Sequence, residues 1–404
     1  MDRRRFINIA ASGSALAVLA SGCGSNSGAE GETIKLVSSM PRNGTAKGQT
    51  DTIANGIVMA IDEYERKVAG MKIVYEDWDD ATAGKGSWTA ELESANAKKA
   101  ILDDDVMAYI GPYNSQAAMI SMPILNEAGL LQISPAVTNT GLTKKSEGGD
   151  PTEPEKYRPS GKITFGRVCP NDLTQGPLAA DFAKDYLKVK TVYILDDREL
   201  YGQGVSGLFH KQCEKIGIKV LGHEGIDGTQ NEFSALMNKV KGKNPDAVYF
   251  GGTTQSKGGQ IAKDLKSAGL TCALIVPDGC YELSFIASAG EENLKNCYAT
   301  IGGIDVSKLT GPGAEFVVKY KAKFGKDPEA YSIYGYEAAK VILAAIKKVG
   351  KKDREAILKT TLATKDFNEG ALGKWSFDAD GDITLQQCTI SKIEGGKFVP
   401  VKIQ

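Results

Sequence analysis

The chain has 404 residues, 42% of them apolar, with 49 Lys+Arg against 50 Asp+Glu for a net charge of −1. That length suits two domains with cores of their own, and the apolar content excludes a disordered body. The balanced charge leaves no basic surplus to neutralise phosphates, which argues against nucleic acid as a partner.

The N-terminus runs from Arg3-Arg4-Arg5-Phe6, through Ile7-Asn8-Ile9-Ala10-Ala11 and the apolar Ala15-Leu16-Ala17-Val18-Leu19-Ala20, to Ser21-Gly22-Cys23. A positive start, a short apolar stretch and a small-residue cleavage zone are the order of a secretory signal, and the stretch is too short to span a bilayer comfortably. Leu19-Ala20-Ser21-Gly22-Cys23 resembles a bacterial lipobox with Cys23 as the lipidated residue. Ala20 holds the place where that pattern usually puts leucine, and Leu19 stands one residue earlier. The arginines before Phe6 resemble the core of a twin-arginine export signal, so either general secretion or that route fits. Residues 1–22 are expected to be a signal peptide and 23–32, rich in Gly and Ser, a lipidated flexible tether to the cell envelope. Export permits disulfides among Cys169, Cys213, Cys272, Cys280, Cys297 and Cys388, and the sequence does not choose a pairing. His210 and His223 are the only histidines, so no metal site is expected, and no cofactor.

From Thr33 short apolar strands alternate with amphipathic helices. Ile34-Lys35-Leu36-Val37 reads as a strand, and Ile53, Ile57, Ile61, Tyr64 and Val68 recur as one helix face. Ile73-Val74-Tyr75 is a strand, residues 88–102 a helix, Val106-Met107-Ala108-Tyr109-Ile110 a strand, 115–128 a helix and 130–133 a strand. Residues 144–161 hold three prolines and many charges without periodicity and read as a surface loop. The alternation resumes with strands at 191–195, 219–221, 247–250, 273–276 and 298–301 and helices between the first four of them. Helical patterns follow near 312–324, 332–349 and 353–362, and the chain ends in a hairpin about Gly395-Gly396. The expected fold is α/β: two halves, each a parallel sheet covered by helices.

Tyr109-Ile110-Gly111-Pro112, the run from Ile133 to Asn139, Leu200-Tyr201-Gly202-Gln203-Gly204 and Phe377-Asp378-Ala379-Asp380-Gly381-Asp382 stand in an order that resembles the type I periplasmic binding proteins, in their leucine/isoleucine/valine-binding branch. The resemblance spans nearly the whole body, from about Ile34 to Val401. It implies two Rossmann-like lobes joined by a three-strand hinge, with ligand bound between them. Lobe 1 would be 33–168 plus 303–373, and lobe 2 would be 169–302 plus 374–404. It also implies a monomer that passes a small polar solute to an ABC permease in the membrane, without turnover.

A zwitterionic amino acid needs donors for its carboxylate and an anion or carbonyls for its ammonium. Ser115 should open a helix, and its hydroxyl and neighbouring N–H groups would face the carboxylate. The resemblance places the Thr138 hydroxyl and the Ala136 carbonyl at the ligand, Tyr201 in the cleft, and Asp278 as the acidic partner of the ammonium, where the branched-chain binders carry glutamate. Tyr113, Asn114 and Thr253 are further candidates, with Thr254 and Tyr281 behind them. The family's tryptophan near the first strand–helix turn has no counterpart. Arg42 and Lys47 lie there instead and would suit a polar or acidic side chain. Urea, an amide or an organic acid is the alternative ligand, and a sensor docking on a signalling receptor the alternative role.

Other motifs are weak. Residues 376–382 lack both end carboxylates of an EF-hand loop and read as a turn with charged edges. Gly202-Gln203-Gly204-Val205-Ser206-Gly207 matches a dinucleotide fingerprint but stands apart from its strand, and reads as a helix-opening loop beside the cleft. No phosphate-binding P-loop or nucleophile elbow occurs.

Overall fold

Strand Thr33–Met40 (β1) is buried from Leu36 onward, as a strand covered on both faces must be. In the computed structural model, which describes residues 31–145 and 149–404, β1 lies at the centre of a six-stranded sheet. The expected signal peptide and Cys23 lie outside the described residues. The sheet order is Lys67–Val68, Met71–Asp79 (β2), β1, Val106–Ile110 (β3), Leu131–Ser134 (β4) and Phe165–Arg167 (β5), all parallel except the short first strand. Helices Lys47–Glu63 (α1), Ala90–Leu102 (α2) and Ser115–Glu127 (α3) connect them.

The chain then builds a seven-stranded sheet. Helix Asp172–Asp185 (α4) leads to Thr191–Asp196 (β6), Leu200–Ile216 (α5), Lys219–Gly225 (β7), Ser234–Lys243 (α6), Ala247–Gly251 (β8), Gly258–Ser267 (α7), Ala273–Val276 (β9), Leu283–Ala289 (α8) and Cys297–Gly302 (β10). The strand order is β7-β6-β8-β9-β10, parallel, closed by the antiparallel Cys388–Glu394 (β11) and Lys397–Ile403 (β12). Before β11 the chain returns to the first sheet as Pro312–Phe324 (α9), Ser332–Val349 (α10) and Arg354–Leu362 (α11). It therefore passes between the sheets after β5, after β10 and before β11. The parallel-dominated α/β fold expected from the sequence is what the structure shows.

Two glycines bring α1 and α10 into close contact. A Cβ at Gly56 would stand 2.2 Å from the Ser332 carbonyl oxygen, and one at Gly335 would stand 2.3 Å from that of Ile53. The backbones meet where only hydrogen fits. On the same helix Glu337 is buried and accepts from the N–H groups of Ala371 (2.7 Å) and Leu372 (3.3 Å) and from the Trp375 indole (2.5 Å), seating the segment that leads back toward β11.

Several local readings change. The helix over 88–102 starts at Ala90, because Thr89 caps it by accepting from the Leu92 N–H. Helix α1 ends at Glu63, short of Tyr64 and Val68. The stretch 144–161 is not all surface: Tyr157 and Glu153 are buried, their side chains joined by a 2.8 Å hydrogen bond. Residues 202–207 lie inside α5 rather than in a loop opening it. Asp382 is not an exposed turn edge but is buried against Arg167. Strand β5 and helix α4 had no counterpart in the expected elements. All six cysteines of the body are free, five of them buried.

Candidate functional site

Strand β3 ends at Ile110, and the chain turns through Gly111, whose φ is +134° and where a Cβ would lie 2.5 Å from the Ser39 carbonyl oxygen. Only glycine suits that turn. It delivers Tyr113, Asn114 and Ser115 to the start of α3. Asn114 takes the N-cap position without a side-chain cap bond, and Ser115 is the first helical residue rather than the cap. The turn after β4 is shaped by Ser134, whose Oγ donates to the Pro112 carbonyl (2.9 Å) and accepts from the N–H groups of Ala136 (3.1 Å) and Val137 (2.9 Å). Ala136 and Thr138 thereby come to lie beside Ser115, whose hydroxyl accepts from the Asn139 N–H at 3.3 Å.

The second sheet supplies the facing wall. Tyr201 lies in the first turn of α5, Thr253 follows β8, and Asp278 follows β9. All eight residues selected from the sequence border one cavity, together with Gly279 and Tyr331. Tyr113 and Tyr331 meet edge to face with centroids 6.4 Å apart. Thr254 stands just outside, its N–H on the Gly279 carbonyl at 3.0 Å. Tyr281 turns its hydroxyl to Asp305 (2.7 Å) and does not border the cavity.

Asp278 is buried and accepts from the hydroxyls of Tyr201 and Tyr331 and from Gln175 Nε2 at 2.9 Å, while its own N–H donates to Gln175 Oε1 at 2.8 Å. Burial pushes its carboxyl above the ordinary range, opposed by those bonds. The same Gln175 amide donates to Asp172 (3.0 Å), the first residue of α4. Burial, with the charge of Asp278 added, pushes Asp172 up to about 8. Its Oδ2 is buried without a partner. Neither carboxylate takes part in an ion pair among the described residues; the nearby Arg167 is paired with Asp382. Asp278 thus puts one buried carboxyl on the cavity wall, with Asp172 joined to it through Gln175, and the N–H end of α3 lies on another side.

The two walls touch. Asn139 Nδ2 donates to the Leu200 carbonyl (2.9 Å), the Leu200 N–H donates to Gln116 Oε1 (2.8 Å), and the Trp88 indole donates to Glu199 (3.3 Å). The cleft is in a closed arrangement. Tyr331, Gln175 and Asp172 were missed in the sequence. Tyr331 sits on the return segment, and Gln175 and Asp172 on the helix that the sequence reading passed over. Arg42 and Lys47 do not border the cavity: Arg42 pairs with Asp51 (2.7 Å) and Asp77 (3.0 Å), with its Nη1 buried and without a partner, and Lys47 pairs with Asp51 (2.5 Å).

The family profile of the periplasmic binding proteins matches residues 33–397. The chain is 28% identical over 372 residues to the Leu/Ile/Val-binding protein BraC3 of Rhizobium johnstonii, covering 91% of this chain and 93% of that protein. Its structure is similar to that of the leucine-binding protein LivK of Thermotoga maritima MSB8, with a TM-score of 0.80 at 26% identity over 92% of this chain and 98% of that one. It is also similar to a solute-binding protein of an ABC transporter from Rhodopseudomonas palustris BisB5 in complex with 3,4-dihydroxybenzoic acid, with a TM-score of 0.74 over 92% of this chain and 97% of that one. At 21% identity that likeness concerns the fold alone. Taken with the two-sheet architecture and the cleft between the sheets, these matches lead to one conclusion: the chain belongs to the type I periplasmic binding proteins, in their branched-chain amino acid branch, and is a solute-binding protein of an ABC transporter.

Proposed function

We propose that this protein binds a free α-amino acid in the cleft, closes on it as a monomer, and presents the closed form to its permease without chemical turnover. The lobes are 33–168 plus 303–373 and 169–302 plus 374–404, and a lipid on Cys23 tethers them outside the cytoplasmic membrane. Ser115, with the N–H groups opening α3, and Thr138 receive the ligand carboxylate. Asp278 and the Ala136 carbonyl receive the ammonium, and Tyr201 and Tyr331 hold Asp278 in place. Tyr113, Asn114 and Thr253 complete the wall.

The observation that carries this reading is Asp278, a buried carboxyl on the cavity wall that has no ion pair among the described residues. A ligand ammonium at that wall would pair with it and favour its ionised form. A benzoate-type anion would instead meet the Asp278 carboxyl, so the aromatic-acid binders of the same fold do not transfer their ligand. Closure requires a ligand that touches both walls, because only differential contact shifts the equilibrium.

A thermal-shift screen of the protein against amino acids, urea, small amides and organic acids tests the proposal, since a ligand of the folded state raises its melting temperature. An α-amino acid should raise it, and Asp278→Ala should abolish the rise. A response confined to urea or organic acids, or unaffected by Asp278→Ala, would overturn these roles.

A further inference from the structure

The chain has only two histidines, and the second sheet brings them together. His210 lies in α5 and His223 in β7, the strand at the sheet's edge. Their Nδ1 atoms stand 2.9 Å apart, with ring centroids separated by 5.1 Å and planes inclined by 50°. Each ring turns its other nitrogen toward a carboxylate. His210 Nε2 is 3.5 Å from Glu214 Oε1, one turn further along α5, and His223 Nε2 is 3.4 Å from Asp196 Oδ2, at the end of β6. The two side chains are 29% and 23% exposed, so an ion in solvent reaches them. Neither borders the cavity of the cleft.

A neutral imidazole carries one N–H and one lone pair, whereas a carboxylate offers only acceptors. Each Nε2 is therefore best protonated toward its carboxylate. Both Nδ1 atoms then carry lone pairs, and these face each other within hydrogen-bond distance. If either ring donates from Nδ1 instead, its Nε2 lone pair confronts a carboxylate oxygen. No arrangement of two neutral rings suits all four nitrogens, but a positive charge between the Nδ1 atoms does. A further proton is one source of that charge, yet burial, with the charge of His223, holds His210 below its ordinary value and disfavours it. The place between the rings is left open to a cation.

Imidazole suits zinc, copper and nickel, while magnesium and calcium take oxygen. Two nitrogens at about 2.1 Å from one tetrahedral zinc ion lie about 3.4 Å apart, so a small parting of the rings admits the ion. A carboxylate at the far nitrogen of each ring is the arrangement that orients histidine ligands and raises their basicity. Asp196 is itself fixed, its Oδ1 accepting from the Arg198 N–H at 2.8 Å. No group of three or more His, Cys, Asp or Glu side chains forms a metal centre among the described residues, so water completes the coordination. We infer that His210 and His223 form a surface site for a divalent transition-metal ion of zinc's class, held through both Nδ1 atoms, with Glu214 and Asp196 as positioning residues. The ion ties α5 to the edge strand β7 and is separate from the amino-acid site.

Titration calorimetry of the untagged protein, stripped of metal with EDTA, against zinc chloride tests it, with magnesium chloride as the hard-cation control. Zinc should bind one-to-one and magnesium should not, and His210→Ala and His223→Ala should each weaken zinc at least about tenfold. Melting of each zinc-free variant checks that it folds. A second measurement needs no variant: with only two histidines in the chain, a long-range proton–nitrogen NMR spectrum holds just two imidazole rings. Zinc should shift the Nδ1 resonances of both and leave both Nε2 atoms protonated. The inference is overturned if no saturable zinc binding occurs, or if magnesium binds as well as zinc. Equal zinc affinity in the two histidine variants also overturns it, placing the ion elsewhere, for instance at the half-buried Cys272. So does an NMR response confined to one ring or to the Nε2 atoms.

Discussion

Arg167 and Asp382 form an ion pair sealed from solvent, with Nε 2.7 Å from Oδ1 and side-chain exposures of 0% and 1%. It joins two of the chain's passages between the sheets to the cleft. Nη1 of Arg167 donates to the carbonyls of Val137 (3.0 Å) and Asn139 (2.9 Å), on either side of Thr138. Asp382 also accepts from Asn171 Nδ2 (2.9 Å), and Asn171 caps α4, the helix of Asp172 and Gln175.

Removing one partner strands the other charge in the interior. Arg167→Met should therefore destabilise the protein by about 3–5 kcal/mol in urea melts, and a loss under about 1 kcal/mol would contradict the account. Burial opposes charge on Asp382, but Arg167, with Lys144, more than offsets it and holds the carboxyl below its usual range. A depressed carboxyl stabilises above its unfolded value of about 4 and loses that contribution as pH falls through its lower folded value. Acid melts should show this loss in the wild type and not in Asp382→Asn.

Three other buried carboxyls act in the opposite direction. Asp172 and Glu282 are each pushed up to about 8, and Asp278 is raised as well. Between about pH 4 and their folded values the folded chain holds protons that the unfolded chain has released, so their contribution shrinks as pH rises. The ligand-free melting temperature should fall from pH 5.5 to 8, less steeply in Asp172→Asn combined with Asp278→Asn. A ligand ammonium beside Asp278 favours its ionised form, so the ligand's thermal shift should grow over the same window. A ligand-free protein whose stability rises from pH 5.5 to 8, or keeps its slope in the double variant, would refute this.

Tyr331 donates to Asp278 from the wall opposite it. Tyr331→Phe keeps the ring and removes the donor, so ligand affinity should fall by roughly tenfold, the worth of one hydrogen bond to a charged group. Calorimetry that shows an unchanged affinity would place Tyr331 outside the binding network.

Gly56 and Gly335 leave no room for a methyl between α1 and α10. Gly56→Ala and Gly335→Ala should each cost about 1–3 kcal/mol, against the usual helix preference for alanine. Thermal melts in which either variant matches or exceeds the wild type would show that the helices separate without penalty.

The cleft residues most legible in the sequence were those at strand ends. Ser115, Thr138 and Asp278 each follow a short apolar run at the place where a parallel sheet puts its ligands, and all three border the cavity. The strand pattern was legible because burial on both faces leaves continuous apolar runs such as Val106–Ile110 and Ala247–Gly251. Strand β5 was not, being three residues long with a buried arginine in it. Helix α4 was hidden because Asp172, Gln175 and Gly176 occupy its buried face alongside Leu178 and Phe182.

By itself, then, the sequence determined the alternation of strands and helices, the two-part body and the turns that carry most of the cleft, because these follow from local hydrophobic period and turn chemistry. Tertiary structure alone decided which polar groups share a wall. Gln175 meets Asp278 across 103 positions, and Arg167 meets Asp382 across 215. Those pairings depend on how the sheets are crossed and stacked, and a buried acid or amide leaves no periodic trace in the sequence to announce its partner.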